Sequence, residues 1–321
     1  MNPSELEARI PKLKAKERDV ALRELGYYYL QLYLKERKDE LIRKSISFYS
    51  QVIKKDCVVL NNLGLCYMYL GNCEDSMEVF NSAREVCKNE DEYMLDFNYS
   101  LALLNCNRPS EAYIVIKSLL KQKKDPHFIR LFGRVCLSLS KRDLSYVMEA
   151  VPLLESLDQP VEELILSYIL LAKDHDKKLI EKALQLAEEN GDKKLLAEAL
   201  LVKGDLRSLE KALSIFRETG DVRGEARALY LLSSFQQDRL PEALSVVEKL
   251  GESDKKEILY DMYKRTKISS LLKEAMRIAE KQGDWLFLAR GYRELSKTEN
   301  EVDNLRKAVE FYEKYIEFKN K

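Results

Sequence analysis

Hydrophobic residues between Leu60 and Ala83 recur at helical spacing on either side of one interruption. Leu60, Leu63 and Tyr67 lie three and four residues apart, so they form one apolar stripe on a predicted helix. Phe80 and Ala83 continue the apolar pattern on a second predicted helix. The pattern therefore predicts a helical hairpin in this stretch.

Small residues mark the turn and the crossing of these two helices. Gly71 and Asn72 separate the two stripes and predict the turn. Gly64 and Ser76 occupy positions where the two helices must approach closely. Because a two-helix hairpin cannot bury both of its faces alone, we expect neighbouring hairpins along the chain.

Copies of this pattern run through the first half of the chain. The first-helix pattern recurs at Leu22, Leu25, Gly26 and Tyr29. The charged residues 35–40 then precede the second helix of this copy, so we expect a lengthened connection within residues 18–56. Two weaker copies follow, and the later one contains Pro152, which either begins or breaks a helix. We predict about four repeats within residues 1–157.

A shorter-stepped pattern fills residues 158–321. Segments of similar sequence recur about thirty residues apart, and they begin at Ala183, Ala212, Ala243, Ala275 and Ala308. A glycine keeps step with the first four of them, at Gly191, Gly220, Gly251 and Gly283. We expect each glycine to end a helix in the left-handed conformation and the acidic residue after it to open the next helix. A last helix over 303–319 is expected to cap the array with a charged outer face.

With these residues in view, the chain resembles the tetratricopeptide repeat (TPR) superfamily over nearly its whole length. The resemblance is most specific at residues 60–83 and is collective from residue 183 onward. It implies an all-α fold, a right-handed α-α superhelix (a TPR-like solenoid) of about eight to nine helical hairpins. It also implies that the first helices of the repeats line a concave groove that holds a peptide or a partner helix.

The resemblance indicates which side chains face that groove. They are Tyr27, Asn61, Asn62, Leu65, Tyr69, Asn98, Asn105, Arg130 and Arg134. Asn62 and Asn98 occupy matching positions, and each amide can both donate to and accept from a peptide backbone. Arg130 and Arg134 lie four residues apart on one face, which suits a carboxylate. The plain alternative is that these Asn and Arg side chains are ordinary solvated surface.

Charge and composition narrow the class of partner and the location. The chain has 54 basic and 54 acidic residues, so it lacks the basic excess that a nucleic-acid-binding protein usually carries. The N-terminal residues have no apolar segment of the kind found in signal peptides, and no stretch is long enough to span a membrane. We therefore expect a cytoplasmic protein, and the richness in Lys and Glu suggests a thermophile.

The cysteines give no evidence of a metal site. All six lie in the first half of the chain, at Cys57, Cys66, Cys73, Cys87, Cys106 and Cys136. None forms a C-x-x-C pair, so we expect no metal. In a cytosolic chain they are expected to be reduced packing residues, with a Cys73–Cys87 disulfide as the alternative known from thermophiles.

No catalytic or cofactor motif appears in the sequence. Phosphate-binding and metalloprotease motifs are absent, and His127 and His175 are expected in surface loops. The leading hypothesis is a non-catalytic protein–protein interaction scaffold or adaptor that binds its partner in the concave groove. The alternatives are a nucleic-acid-associated or transcription-regulatory TPR protein, and a self-assembling structural subunit that forms homo-oligomers.

Overall fold

A computed structural model describes residues 3–87, 90–174 and 176–319 of the chain. Within these ranges every regular element is helical, and no strand occurs. The chain divides into two compact units, Met1–Ser167 and Tyr168–Lys321, with helix α10 (Glu162–Asp174) at the division. The all-α prediction is therefore confirmed.

The first unit contains a leading helix, a short 3₁₀ helix and successive antiparallel helical hairpins. Its elements are α1 (Pro3–Arg9), the 3₁₀ helix (Ile10–Lys12), α2 (Ala15–Glu36), α3 (Asp39–Gln51), α4 (Cys57–Tyr69), α5 (Cys73–Val86), α6 (Glu90–Asn105), α7 (Pro109–Gln122), α8 (Pro126–Leu139) and α9 (Ser145–Glu155). Within each hairpin the two helices pack on each other, and each second helix from α3 to α7 packs on the first helix of the next hairpin. This is the stacking of a helical-repeat array.

The second unit continues the same kind of pairing with shorter helices. After α10 its elements are α11 (Leu179–Glu189), α12 (Lys193–Lys203), α13 (Leu206–Thr219), α14 (Val222–Leu232), α15 (Arg239–Val247), α16 (Glu252–Thr266), α17 (Ser269–Lys281), α18 (Trp285–Leu295) and α19 (Glu301–Lys319). Eight pairs of consecutive helices pack on each other as hairpins in the part of the chain that is described, four in each unit, which agrees with the predicted eight to nine.

The close crossing predicted at Gly64 and Ser76 is confirmed. The Ser76 hydroxyl donates to the carbonyl oxygen of Gly64 at 2.9 Å. A Cβ atom at Gly64 would lie 2.8 Å from the ring of Phe80, so only glycine allows this approach. The first hairpin repeats the arrangement, because Ser45 donates to the carbonyl oxygen of Gly26 at 2.7 Å. A small residue on each helix therefore sets the distance within a hairpin.

The prediction of a long connection between the two helices of the first hairpin is wrong. The charged residues extend the helices instead, since α2 continues to Glu36 and α3 begins at Asp39. Arg37 makes the reversal with a left-handed φ of 55°. Charged residues of this kind are good helix formers at exposed positions, so they lengthened the hairpin rather than opening it.

Three of the four glycines in the second unit end helices as predicted. Gly191, Gly220 and Gly283 have positive φ angles of 69°, 70° and 65°. Gly251 does not, because its φ is −61° and it lies at the N-terminal end of α16. The turn before Gly251 is closed by other residues, and Glu252 still opens the following helix.

Four further expectations need correction or lie outside the described residues. Pro152 neither begins nor breaks a helix, since it lies inside α9. His127 is an exposed residue in the first turn of α8 rather than a loop residue. His175 lies outside the described residues. The outer face of α19 is not simply charged, because Val302, Val309 and several other apolar residues are exposed there.

The expectation of six reduced cysteines is wrong, and so is the alternative pairing of Cys73 with Cys87. Cys57 is bonded to Cys87, and Cys73 is bonded to Cys106. The first bridge joins the start of α4 to the end of α5, and the second joins the start of α5 to the end of α6. Antiparallel packing brings the start of one helix beside the end of its neighbour, a contact that the spacing of cysteines along the sequence does not define. Disulfides are common in oxidising compartments and in intracellular proteins of hyperthermophiles.

None of the described helices is both long and apolar enough to cross a bilayer.

Candidate functional site

The first helices α4, α6 and α8 lie side by side in the first unit and carry most of the predicted groove residues. Asn98 of α6 is 8% exposed, and its side-chain amide donates to Oδ1 of Asn61 in α4 at 3.0 Å. The two residues therefore bind each other. Each amide thus makes one hydrogen bond within the fold.

Asn62 is also engaged within the fold. Its amide donates to the hydroxyl of Tyr49 at 3.0 Å. Tyr49 is fully buried between the first two hairpins, and this burial raises the pKa of its phenol. Asn62 thus satisfies the polar end of a core aromatic residue, which is a structural task.

The remaining aromatic and amide positions lie on α2, on α4 and at the C-terminal end of α6. Tyr69 packs against Tyr33, with ring centroids 5.6 Å apart, and the Arg37 guanidinium lies 5.9 Å from the Tyr69 centroid. Asn105 is exposed and donates to the Met68 sulfur at 3.3 Å. Two further predicted residues lie on α4 and α2, the half-buried Leu65 and the 54%-exposed Tyr27.

Arg130 and Arg134 share a face of α8, as predicted, but only Arg130 has an ion-pair partner among the described residues. Arg130 donates to both carboxylate oxygens of Glu163 in α10, at 3.1 and 3.3 Å. The Glu163 side chain is 6% exposed, so Arg130 neutralises a buried charge. Arg134 is exposed and forms no ion pair within the described residues.

A cavity of about 680 Å³ opens beside these arginines. Tyr93, Met94 and Phe97 of α6 and Phe128 of α8 supply its apolar wall. The rings of Phe97 and Phe128 pack at a centroid distance of 5.5 Å. Polar groups at its rim come from residues at the α7–α8 connection, including Lys123 and Asp125, whose charged atoms are 4.0 Å apart. The size and mixed lining are those of a ligand-binding pocket.

A second depression of about 210 Å³ joins this cavity to the arginines. Phe97 and His127 line both spaces. We call the combined surface the α6–α8 site, and its main residues are Phe97, Leu101, His127, Phe128, Arg130 and Arg134. Since Glu163 offsets Arg130 and Asp125 lies near Lys123, Arg134 carries the uncompensated positive charge of the site.

Sequence reasoning missed the aromatic half of this site. Tyr93 and Phe97 lie four residues apart on α6, one turn from each other, and Phe128 lies in the first turn of α8. That spacing was a usable signal. It is hard to recognise because Asp96 interrupts the expected apolar pattern and because the sequence predicts a loop at His127.

No group of His, Cys, Asp and Glu side chains suited to a metal ion occurs in the described ranges. The arrangement therefore offers hydrophobic contact, aromatic faces and one free guanidinium. Such groups recognise an extended chain or a helix that carries apolar and acidic side chains.

Comparison with known proteins supports the fold. The crystal structure of the apo form of RapI is 14% identical and superposes with a TM-score of 0.58, covering 92% of this chain and 98% of that one. The chain has a TPR-like helical-repeat fold. At this low identity the likeness extends to the fold alone.

Two other solved structures match with lower scores. Aspartyl phosphate phosphatase F from Bacillus subtilis is 13% identical, with a TM-score of 0.49 over 91% of each chain. A putative kinesin light chain with TPR-like repeats is 14% identical, with a TM-score of 0.36 over 58% of this chain and 95% of that one. No protein-family model matches the sequence, and no curated protein matches it at a significant level.

Proposed function

We propose that the protein is a non-catalytic interaction adaptor whose first unit binds an acidic peptide or partner helix at the α6–α8 site. The observation that carries the proposal is the aromatic cavity adjoining an uncommitted arginine on the first-helix face. Phe97 is the residue common to both parts, since it lines the cavity and the depression that leads to Arg134.

The apolar wall defines the first requirement on the partner. Met94 is 55% exposed, and Phe97 is half-buried although it packs on Phe128. Covering these side chains removes apolar surface from water, and burial of an aromatic or aliphatic anchor in such a pocket dominates many interfaces. A large apolar side chain is therefore the expected anchor.

The arginine defines the second requirement. Arg134 projects from α8 one turn beyond Arg130, whose guanidinium is already held by Glu163. A carboxylate from the partner gives Arg134 the charge-assisted hydrogen bonds that it lacks among the described residues. The partner segment is thus expected to place an Asp or Glu near its apolar anchor.

The amides of Asn61, Asn62 and Asn98 are assigned a supporting role in this proposal. Their hydrogen bonds hold neighbouring first helices and the buried Tyr49 in place. They fix the scaffold on which the α6–α8 site lies, rather than binding the partner backbone.

Selection from a displayed peptide library tests the proposal directly. We expect the wild-type chain to enrich peptides that combine a large apolar residue with a nearby acidic one. Binding of a selected peptide is then measured by fluorescence anisotropy. Phe97→Ala and Arg134→Ala should each weaken it by about tenfold or more.

Matched controls separate the site from general effects of the substitutions. Phe48 is another half-buried aromatic residue, stacked on Tyr29 at 5.7 Å, and Arg43 is another exposed arginine, on α3. Phe48→Ala and Arg43→Ala should leave peptide affinity unchanged. The proposal would be overturned if the enriched peptides lacked acidic residues. It would also be overturned if Phe97→Ala and Arg134→Ala bound the peptide as tightly as the wild type.

A further inference from the structure

The last helix of the described chain, α19, has two apolar faces. One face packs on α18, where Ala308 is 3% exposed and Phe311 stacks on Trp285 at 6.0 Å and on Tyr292 at 5.4 Å. The opposite face carries a second row of apolar residues that nothing in the described chain covers. A helix that only closed a repeat array would present a polar outer face.

This second row has the spacing of a coiled-coil seam. Its members recur at alternating intervals of three and four residues, at Val302, Leu305, Val309, Tyr312 and Ile316. Val302, Val309 and Ile316 are 62%, 57% and 56% exposed. A shallow groove of about 440 Å³ runs along the seam beside Val302, Leu305 and Val309.

The array itself indicates that a helix belongs on this face. In the second unit α13, α15 and α17 each pack on the first helix of the following hairpin, as α3, α5 and α7 do in the first unit. The outer face of α19 is the corresponding surface. An apolar helix laid on it would be buried in the same manner.

Charges beside the seam identify the helix that fits. Arg306 and Glu313 flank the same side of the seam, one heptad apart, and both are exposed. Among the described residues neither forms an ion pair, whereas Lys314 and Glu310 on the same helix pair at 2.8 Å. When two copies of α19 run antiparallel, Arg306 of each copy comes beside Glu313 of the other, because flanking positions of this type face each other in antiparallel pairs. The seam is therefore complementary to itself.

We propose that the outer face of α19 binds α19 of a second copy of this chain, forming a two-fold antiparallel dimer. Val309 of one copy then lies opposite Tyr312 of the other, and Leu305 lies opposite Ile316. This is an isologous interface, in which the same patch serves both partners. It is separate from the α6–α8 site, so either proposal can fail without the other.

Charge reversal on the full chain provides the test. Sedimentation equilibrium across a range of concentrations should give a dimer for the wild type. Arg306→Glu and Glu313→Arg should each raise the dimer dissociation constant by about tenfold or more, since like charges then face each other twice. The double variant R306E/E313R restores the complementarity and should return the constant to within about threefold of the wild type.

Two further variants complete the experiment. Val309→Lys places a charge in the seam and should give a monomer, and its circular dichroism melt should stay close to the wild type because Val309 is exposed. Arg293→Glu makes the same charge change at an exposed position on α18 and should leave the dimer intact. A monomer at every concentration, a dimer insensitive to Arg306→Glu, or a double variant that stays weak would each overturn the proposal.

Discussion

Asn98 in α6 donates its amide to Oδ1 of Asn61 in α4, so a single hydrogen bond of 3.0 Å joins two neighbouring first helices. Asn98 is buried, and loss of its partner leaves a polar group without compensation. We expect Asn98→Asp to destabilise the fold by about 1–3 kcal/mol, because it sets a carboxylate against the Asn61 oxygen.

Asn61→Asp is the matched control for this prediction. An aspartate at position 61 still offers an oxygen that accepts the hydrogen bond from Asn98. Asn61→Asp should therefore lower the free energy of unfolding clearly less than Asn98→Asp does. Urea unfolding monitored by circular dichroism measures both variants. Equal losses would contradict the assigned direction of the hydrogen bond.

Arg130 and Arg134 should differ in their effect on stability. Arg130→Ala leaves the buried Glu163 carboxylate without its ion-pair partner, whereas Arg134 has no such task. We expect about 1–3 kcal/mol of destabilisation for Arg130→Ala, below the full value for a buried pair because Arg130 is half exposed. Arg134→Ala should cost less than about 0.5 kcal/mol.

The double variant R130A/E163Q tests the reason for that difference. Removing both charges should recover part of the stability lost in Arg130→Ala, because no unpaired carboxylate remains buried. Thermal and urea unfolding of the three variants give the comparison. No recovery in the double variant would indicate that Arg130 acts through packing instead.

Thiol titration should find a different number of cysteines under each of three conditions. Cys66 and Cys136 are free and buried, and burial raises the pKa of each thiol to about 12. Thiolate is the reactive form, so neither should react in the native protein at about pH 8. Two thiols should appear in denaturant, and all six after denaturation with a reductant.

A non-reducing peptide map checks the connectivity. It should contain the peptides of Cys57 joined to Cys87 and of Cys73 joined to Cys106. Loss of either bridge should lower the free energy of unfolding by about 3–4 kcal/mol, given the length of chain that each one closes. Six reactive thiols in denaturant alone would show that the bridges do not form.

Asp56 should make stability depend on pH in the acid range. Burial raises the pKa of Asp56, but hydrogen bonds from the Arg23 guanidinium and the Val59 N–H outweigh it and hold the pKa below its usual value. The stabilising contribution is therefore present above the unfolded-state pKa of about 4 and is lost as the pH falls through the lower folded-state pKa.

Two substitutions separate the charge of Asp56 from its capping role at the start of α4. Asp56→Asn keeps a capping oxygen and should cost about 0.5–1 kcal/mol at about pH 7, since the pair with Arg23 is partly exposed. Asp56→Ala should cost about 1 kcal/mol more. The difference between the wild type and Asp56→Asn should shrink below about pH 4. A difference that is constant with pH would contradict the role of the charge.

The hairpin at 60–83 was predictable because its packing is local. Gly64 and Ser76 meet within one hairpin, and the need for small residues there can be recognised from a spacing of a few turns. The same reasoning failed where the decisive contact lies a repeat away. Neither the Asn98–Asn61 hydrogen bond nor the Cys73–Cys106 bridge can be obtained from a single helix pattern.

The candidate site divides in the same way. The spacing of Arg130 and Arg134 on one helix placed them correctly on a common face. It could not show that Arg130 forms an ion pair with Glu163, which lies on another helix. Phe97 and Phe128 become neighbours only when α6 and α8 are packed together, so the cavity is a property of the tertiary structure.

The two disulfides also determine how this part of the molecule responds to force. They link the start of α4 to the end of α5, and the start of α5 to the end of α6. On the shortest covalent path from Cys57 to Cys106 only the chain between Cys73 and Cys87 is left to extend. A chain pulled from its two ends therefore gains much less length from residues 57–106 than a reduced chain does, while every hairpin outside them is free to extend. In a stretching experiment the fully unfolded oxidised protein should have a shorter contour length than the fully unfolded reduced protein. The difference should come from this segment alone.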